Sequence, residues 1–162
     1  TTMYGCTPTD STEANINTDW YLGQLSNGEA GAGFYDNDDA YYHAGGFTAC
    51  TISGSSFNTQ AGDIVMIGVD MDNNKLYAGV NGNWCNSSDN TLPNATGITI
   101  NDELTYLAMA VFTAATYKAN FGGYTTISIS SSASDGNGYG TFEYAPPSGY
   151  YAICTKNLAE FG

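Results

Sequence analysis

The sequence predicts one all-β domain, a two-sheet antiparallel β-sandwich, and three observations carry that expectation. Short apolar or alternating runs recur along the chain and are separated by turn clusters, the pattern of a sandwich or barrel. No stretch of ten or more residues sets apolar side chains at three-to-four spacing behind a cap, so helices are not expected. The 20 Gly and 13 Tyr, against 12% charged residues, suit half-exposed strands joined by tight turns.

Taken in order, Trp20 to Leu25 reads as a strand closed by Ser26-Asn27-Gly28. Ala30 to Tyr35 reads as the next, followed by the polar turn Asp36-Asn37-Asp38-Asp39, and Phe47 to Ile52 as another. Ile64 to Met71 and Lys75 to Asn81 form the strongest pair, and Ile98 to Ile100 is short. Leu104 to Thr113 and Tyr117 to Phe121 read as a second pair, because β-branched and aromatic residues outweigh a weak helical pattern there. Thr125 to Ser130 alternates Ile127 and Ile129 with polar residues, so one face is expected to be wet. Ser130 to Gly140, rich in Ser and Gly, reads as a flexible insertion loop. Pro146-Pro147-Ser148-Gly149 is a turn, and Tyr150 to Cys154 a last strand. No internal repeat and no linker divides the chain, so residues 1–162 are expected to be a single domain. The start at Thr1-Thr2-Met3 and the end at Gly162 suggest a processed product or a segment of a longer protein.

The central pair is the most informative. Ile64-Val65-Met66-Ile67-Gly68-Val69 is apolar on both sides and is expected to be covered on both faces. Asn73-Asn74 is the expected tip of a two-residue turn, since Asn tolerates left-handed dihedrals. Leu76, Ala78 and Val80 alternate with Lys75, Tyr77 and Gly79, which predicts one buried face on the return strand; Asn81-Gly82 then turns the chain into Trp84.

The run Gly62-Asp63-Ile64-Val65, then Gly68 to Tyr77, then Asn81-Gly82-Asn83-Trp84, resembles the core of the SPRY domain family, and Asn120-Phe121-Gly122 is similar to that family's late Asn-Phe-Gly strand. The ending Ala145-Pro146-Pro147-Ser148-Gly149 through Thr155-Lys156-Asn157-Leu158 resembles the tail of SPRY-like domains in bacteriophage and other viral structural proteins. The resemblance covers roughly Asn17 to Leu158. It implies a concanavalin-like jelly-roll sandwich that mediates protein contacts. In a virion setting it implies a fibre, appendage or decoration protein whose partners are other virion proteins or a host surface protein or glycan, placed in the virion or outside cells. The family has a strand or two more before the region matching Tyr4 to Pro8, which implies N-terminal truncation.

Charge excludes other classes. The formal net charge is −13, with only Lys75, Lys118 and Lys156 as cations and no Arg, so the cationic footprint of a nucleic-acid binder is missing. No apolar run approaches the roughly 20 residues a spanning helix needs, so membrane insertion is not expected. Homo-oligomerisation is left open.

Cys6, Cys50, Cys85 and Cys154 show no CxxC and no Cys/His grouping, which argues against zinc. Four cysteines allow three pairings, and buried free thiols are an equal alternative. The only histidine, His43, has no nucleophile motif near it, so no catalytic residue and no enzymatic activity are assigned. Asp70, Asp72 and Asn74 begin like a calcium loop, but Lys75 stands where its Gly belongs and Asn81 where its Glu belongs. No metal ligands are therefore assigned and no cofactor is required, although the acidic turns leave calcium open. The binding candidates are the residues around the polar turn: Tyr35, Asp36, Asp38, Asp39, Tyr41, Tyr42 and His43. Their aromatic faces and carboxylates are also what a lectin-like, carbohydrate-binding module would use, and that is the competing reading. With Trp20, Tyr77 and Trp84 these rings either line such a surface or fill the sandwich.

Overall fold

A computed structural model describes residues 2–8, 32–35, 40–43, 46–52, 55–86, 92, 95, 97–100, 104–111, 116–123 and 127–161. The chain is β-rich, and it forms two compact units, Thr1–Ala114 and Ala115–Gly162.

The strands of the first unit are β1 (Thr2–Pro8), β2 (Ala32–Tyr35), β3 (Ala40–His43), β4 (Gly46–Ala49), β5 (Thr51–Ile52), β6 (Ser55–Ser56), β7 (Val65–Asp70), β8 (Lys75–Val80), β9 (Asn83–Trp84), β10 (Ile98–Thr99) and β11 (Leu104–Val111). One antiparallel sheet has the order β11-β1-β2-β3-β4. A second runs β10-β8-β7, with β9 also paired to β8, and β5 pairs with β6. Phe34 of β2 shares one buried cluster with Leu76, Ala78, Val80 and Ile98 of the second sheet and with Cys50, Phe57, Cys85 and Ile100. The Phe34 and Phe57 rings sit 6.0 Å apart, within the range of a favourable aromatic pair.

The β7–β8 hairpin forms where the apolar pattern places it, with register Val65↔Val80, Ile67↔Ala78 and Val69↔Leu76. Its burial reverses the expectation. β7 is half-buried along most of its length, whereas Leu76 to Val80 of β8 are all buried. β8 lies between β7 and β10, and its second face is filled by Tyr77 and by close packing at Gly79. A methyl group on Gly79 would stand 2.5 Å from the Asn83 carbonyl oxygen and 2.7 Å from the Met66 methyl carbon, so the alternating pattern hid a requirement for no side chain. The tip also differs from a two-residue turn. Asp70 pairs with Lys75, so Met71 to Asn74 form a four-residue loop in which Asn74 takes the positive φ. The two-residue turn is the next one. Asn81 (φ 50°) and Gly82 (φ 85°) lie between the paired Val80 and Asn83, the type I′ geometry that matches strand twist.

β1 was not among the expected strands, since Gly5 at its centre and Pro8 at its end weaken the pattern. It nonetheless pairs on both sides, with β2 and β11. That pairing corrects the expected hairpin of Leu104 to Thr113 with Tyr117 to Phe121: β11 takes the distant β1 as its partner. Residues 116–119 are exposed and irregular, and the chain bends at residues 121–123, where the Gly122 amide donates to Asn120 Oδ1. The expected strand at Trp20 to Leu25 and the turn Asp36 to Asp39 lie outside the described residues.

The second unit has little regular structure. Ile127 to Ser130 and Tyr150 to Cys154, expected as strands, are not strands. A helix, α1 (Thr155–Phe161), follows instead. The pattern concealed it because it is short, its buried residue is the polar Asn157, and Leu158 and Phe161 are exposed. Phe142, Ala152, Gly122 and Gly140 pack closely; a methyl on Gly122 would lie 2.6 Å from the Ala152 Cβ and 2.8 Å from the Phe142 ring. Among the described residues no helix is long and apolar enough to cross a membrane.

Candidate functional site

The β2–β3 hairpin carries the described part of the expected binding residues. Tyr35 pairs with Ala40, Tyr41 with Phe34, Tyr42 with Gly33 and His43 with Ala32, so the four stand on adjacent strands. Tyr35 is buried and serves the interior. Asp36, Asp38 and Asp39 lie outside the described residues, as does Trp20. Tyr77 and Trp84 are buried too, which favours the space-filling reading of those rings. Among the described residues, exposed aromatic rings stand at Tyr117, Phe121, Tyr151 and Phe161 of the second unit.

The polar motif residues of the central hairpin hold one another. Asn81 Nδ2 donates to Asp63 Oδ1 (2.7 Å), and Asn81 Oδ1 accepts from the Ile64 amide (2.9 Å). Asp63 Oδ2 accepts from the Gln60 amide (2.7 Å), and the Asn81 amide donates to the Ile64 carbonyl (2.9 Å). These bonds fasten the entry of β7 to the β8–β9 turn. At the far end, Asp70 accepts from the amide and the side chain of Asn73. Lys75 Nζ donates to Thr99 across the β8–β10 pair (2.6 Å). Of the residues that begin like a calcium loop, Asp70 is thus occupied with Asn73 of its own turn. Among the described residues no group of three or more His, Cys, Asp or Glu is placed to hold a metal ion.

Cys50 and Cys85 form a disulfide with Cα atoms 5.9 Å apart, which settles one pairing that spacing left open; Cys154 is free and half-buried. The next residue on each side reinforces the link. Asn86 Oδ1 accepts from the Thr51 amide (2.8 Å) and hydroxyl (2.7 Å), and the Asn86 amide donates to the Thr51 carbonyl (2.6 Å). Asn86 also opens a glycosylation-type triplet, Asn86-Ser87-Ser88, and its side-chain oxygen is engaged in structure.

The most developed polar cluster is one that the sequence did not announce. Asp135, in the Ser130 to Gly140 stretch, is 6% exposed and accepts four hydrogen bonds. Its Oδ1 takes the amides of Asn137 (3.0 Å) and Tyr139 (2.9 Å), and its Oδ2 takes the Ala152 amide (2.9 Å) and Asn157 Nδ2 (2.6 Å). Asn157 is itself buried and is satisfied at both ends, donating also to the Ala152 carbonyl and accepting from Asn137 Nδ2. Burial is the largest single influence on the Asp135 carboxyl and pushes its pKa up. The bonds from Ala152, Asn157, Tyr139 and Asn137 together outweigh it and hold the group below the ordinary carboxylate value. Tyr139 Oη donates to Glu160 (2.7 Å), and Lys156 Nζ lies 4.7 Å from the centre of the Tyr139 ring.

Comparison with protein-family models, curated proteins and solved structures finds no match to this chain.

Proposed function

We propose that the first unit is a SPRY-like, two-sheet antiparallel sandwich and that the chain is a non-enzymatic structural or interaction module of a virus particle, such as a fibre, appendage or decoration protein. The supporting observation is the clasp of Asp63, Ile64 and Asn81: the residues that carry the family resemblance are spent on fixing a hairpin, as a scaffold signature requires. The sharing of Phe34 between the core cluster and the five-stranded sheet supports the sandwich. Mass spectrometry of purified particles from the source of the sequence should find this polypeptide at stoichiometric levels, and particles without it overturn the reading.

A lectin-like module for host glycans is the second reading, favoured by the exposed rings of Tyr117 and Tyr151, a type of surface on which sugars stack. A glycan array probed with and without calcium separates the two, and an array without a hit removes the second.

A further inference from the structure

We infer that the Ser130–Glu143 excursion is an acid-operated latch, closed onto helix α1 when Asp135 and Glu143 are ionised and released when they take up protons.

The excursion is closed at three levels. At its base Glu143 accepts from the amide and hydroxyl of Ser130 and from the Ser131 amide. Above that, Ala133 and Phe142 exchange two backbone hydrogen bonds of 2.9 Å, and the Asp135 amide donates to the Tyr139 carbonyl (2.8 Å). At the tip the Asp135 carboxylate gathers its own loop through Asn137 and Tyr139, the segment before the helix through Ala152, and the helix itself through Asn157. Every partner of the Asp135 carboxylate is an N–H donor, and each of its oxygens already takes two. A protonated Asp135 brings an O–H of its own and must displace at least one of them, whereas a protonated Glu143 gives up the charge that its two amide donors and the Ser130 hydroxyl hold. The other titratable groups facing the cluster are Tyr139 from the loop, Cys154 before the helix, and Lys156 and Glu160 on it.

The direction in pH follows. The Ser130 hydroxyl, then its amide, hold Glu143 below the ordinary carboxylate value against a smaller opposing effect of burial; at Asp135 burial is the largest single influence, and its four hydrogen bonds together outweigh it. A depressed folded-state value means that the stabilisation is complete above the ordinary values of both carboxyls and is lost as pH falls through the folded-state ones. Two protons acting on one excursion steepen the release.

The test is an NMR titration of the full chain from pH 6 to pH 2.5, following the side-chain carboxyl shifts of Asp135 and Glu143 and the exchange protection of the Ala152 and Tyr139 amides, corrected for intrinsic exchange. Protection at Ala152 and Tyr139 should fall at the pH where the two carboxyls titrate, approaching about a hundredfold per pH unit for two linked protons. In Glu143→Gln, a conservative change at a half-buried position, it should approach about tenfold. The Cys85 amide, bonded to the Ala78 carbonyl in the first unit, serves as the reference and should keep its protection through that step. Protection at Ala152 that survives the Asp135 titration overturns the latch. So does loss at Cys85 in step with Ala152, which would be unfolding of the whole chain, and an unchanged slope in Glu143→Gln removes the base of the latch from the mechanism.

Discussion

Breaking the Cys50–Cys85 bond frees a stretch of the first unit spanning a sequence separation of 35. In the chain-entropy account the cross-link removes about 13 cal/mol/K from the unfolded ensemble, which is about 4 kcal/mol at 25 °C. The folded state should keep its local geometry, because Asn86 and Thr51 exchange three hydrogen bonds beside the bridge. Both cysteines are buried, so the double replacement Cys50→Ala/Cys85→Ala also leaves a small void, worth about another 1 kcal/mol. Urea denaturation followed by tryptophan fluorescence is the appropriate assay, since Trp84 is buried in that unit. The unfolding free energy should drop by about 4–5 kcal/mol, with a slightly larger m-value as the released chain expands. A drop of less than about 1 kcal/mol refutes the loop-closure reasoning. A non-reduced peptide map in which the Cys50 and Cys85 peptides are not joined refutes the pairing itself.

Three further outcomes are expected. Asn81→Ala loses two side-chain hydrogen bonds and a residue tolerant of φ 50°, and should cost about 1–3 kcal/mol in urea denaturation; Asn81→Gly, which keeps the dihedral, should cost less. Gly122→Ala combines φ +91° with a methyl driven against Ala152 and Phe142, and should cost about 1–3 kcal/mol, read as lost amide protection at Ala133 and Phe142. Tyr139 is held above the ordinary tyrosine value first by its hydrogen bond to Glu160, then by burial and by the charges of Glu160, Asp135 and Cys154. The stability tied to its neutral form is therefore complete below the ordinary value and lost as pH rises through the folded one. Glu160→Gln should lower the Tyr139 titration midpoint seen by NMR, and an unmoved midpoint assigns the shift elsewhere.

What the sequence made legible was the part of the fold written in local pattern. β7 and β8 were readable because consecutive apolar residues and a polar turn lie within a few positions of each other. β1 was not, because its strand character comes from partners about 30 and 100 residues away and not from its own Gly- and Pro-bearing residues. The same limit misassigned β11, whose nearest neighbour in sequence offered a plausible but unused pairing. The burial of β8 was misjudged because Gly79 and Tyr77 look like a wet face until Met66 and Asn83 are set against the one and Gly97 against the other. In the expected binding region, Tyr35 read as a ligand residue by composition and proved to be interior. Asp135 gave no signal, since a lone Asp among Ser and Gly reads as loop; its role depends on Ala152 and Asn157, both distant in sequence. The sequon-like Asn86 is the converse case, a residue with a surface label and a structural task.

The clasp between Asp63 and Asn81 separates the closure of the hairpin from its tip. Because the two residues hold each other and the backbone at Ile64, they close the hairpin whatever the protein touches. The tip between Asp70 and Lys75 lies at the opposite end and is mostly exposed, with its backbone finished locally by Asp70 and Asn73. The tip can therefore change without loss of the closure, because the bonds that hold the two strands in register lie at the other end of the hairpin.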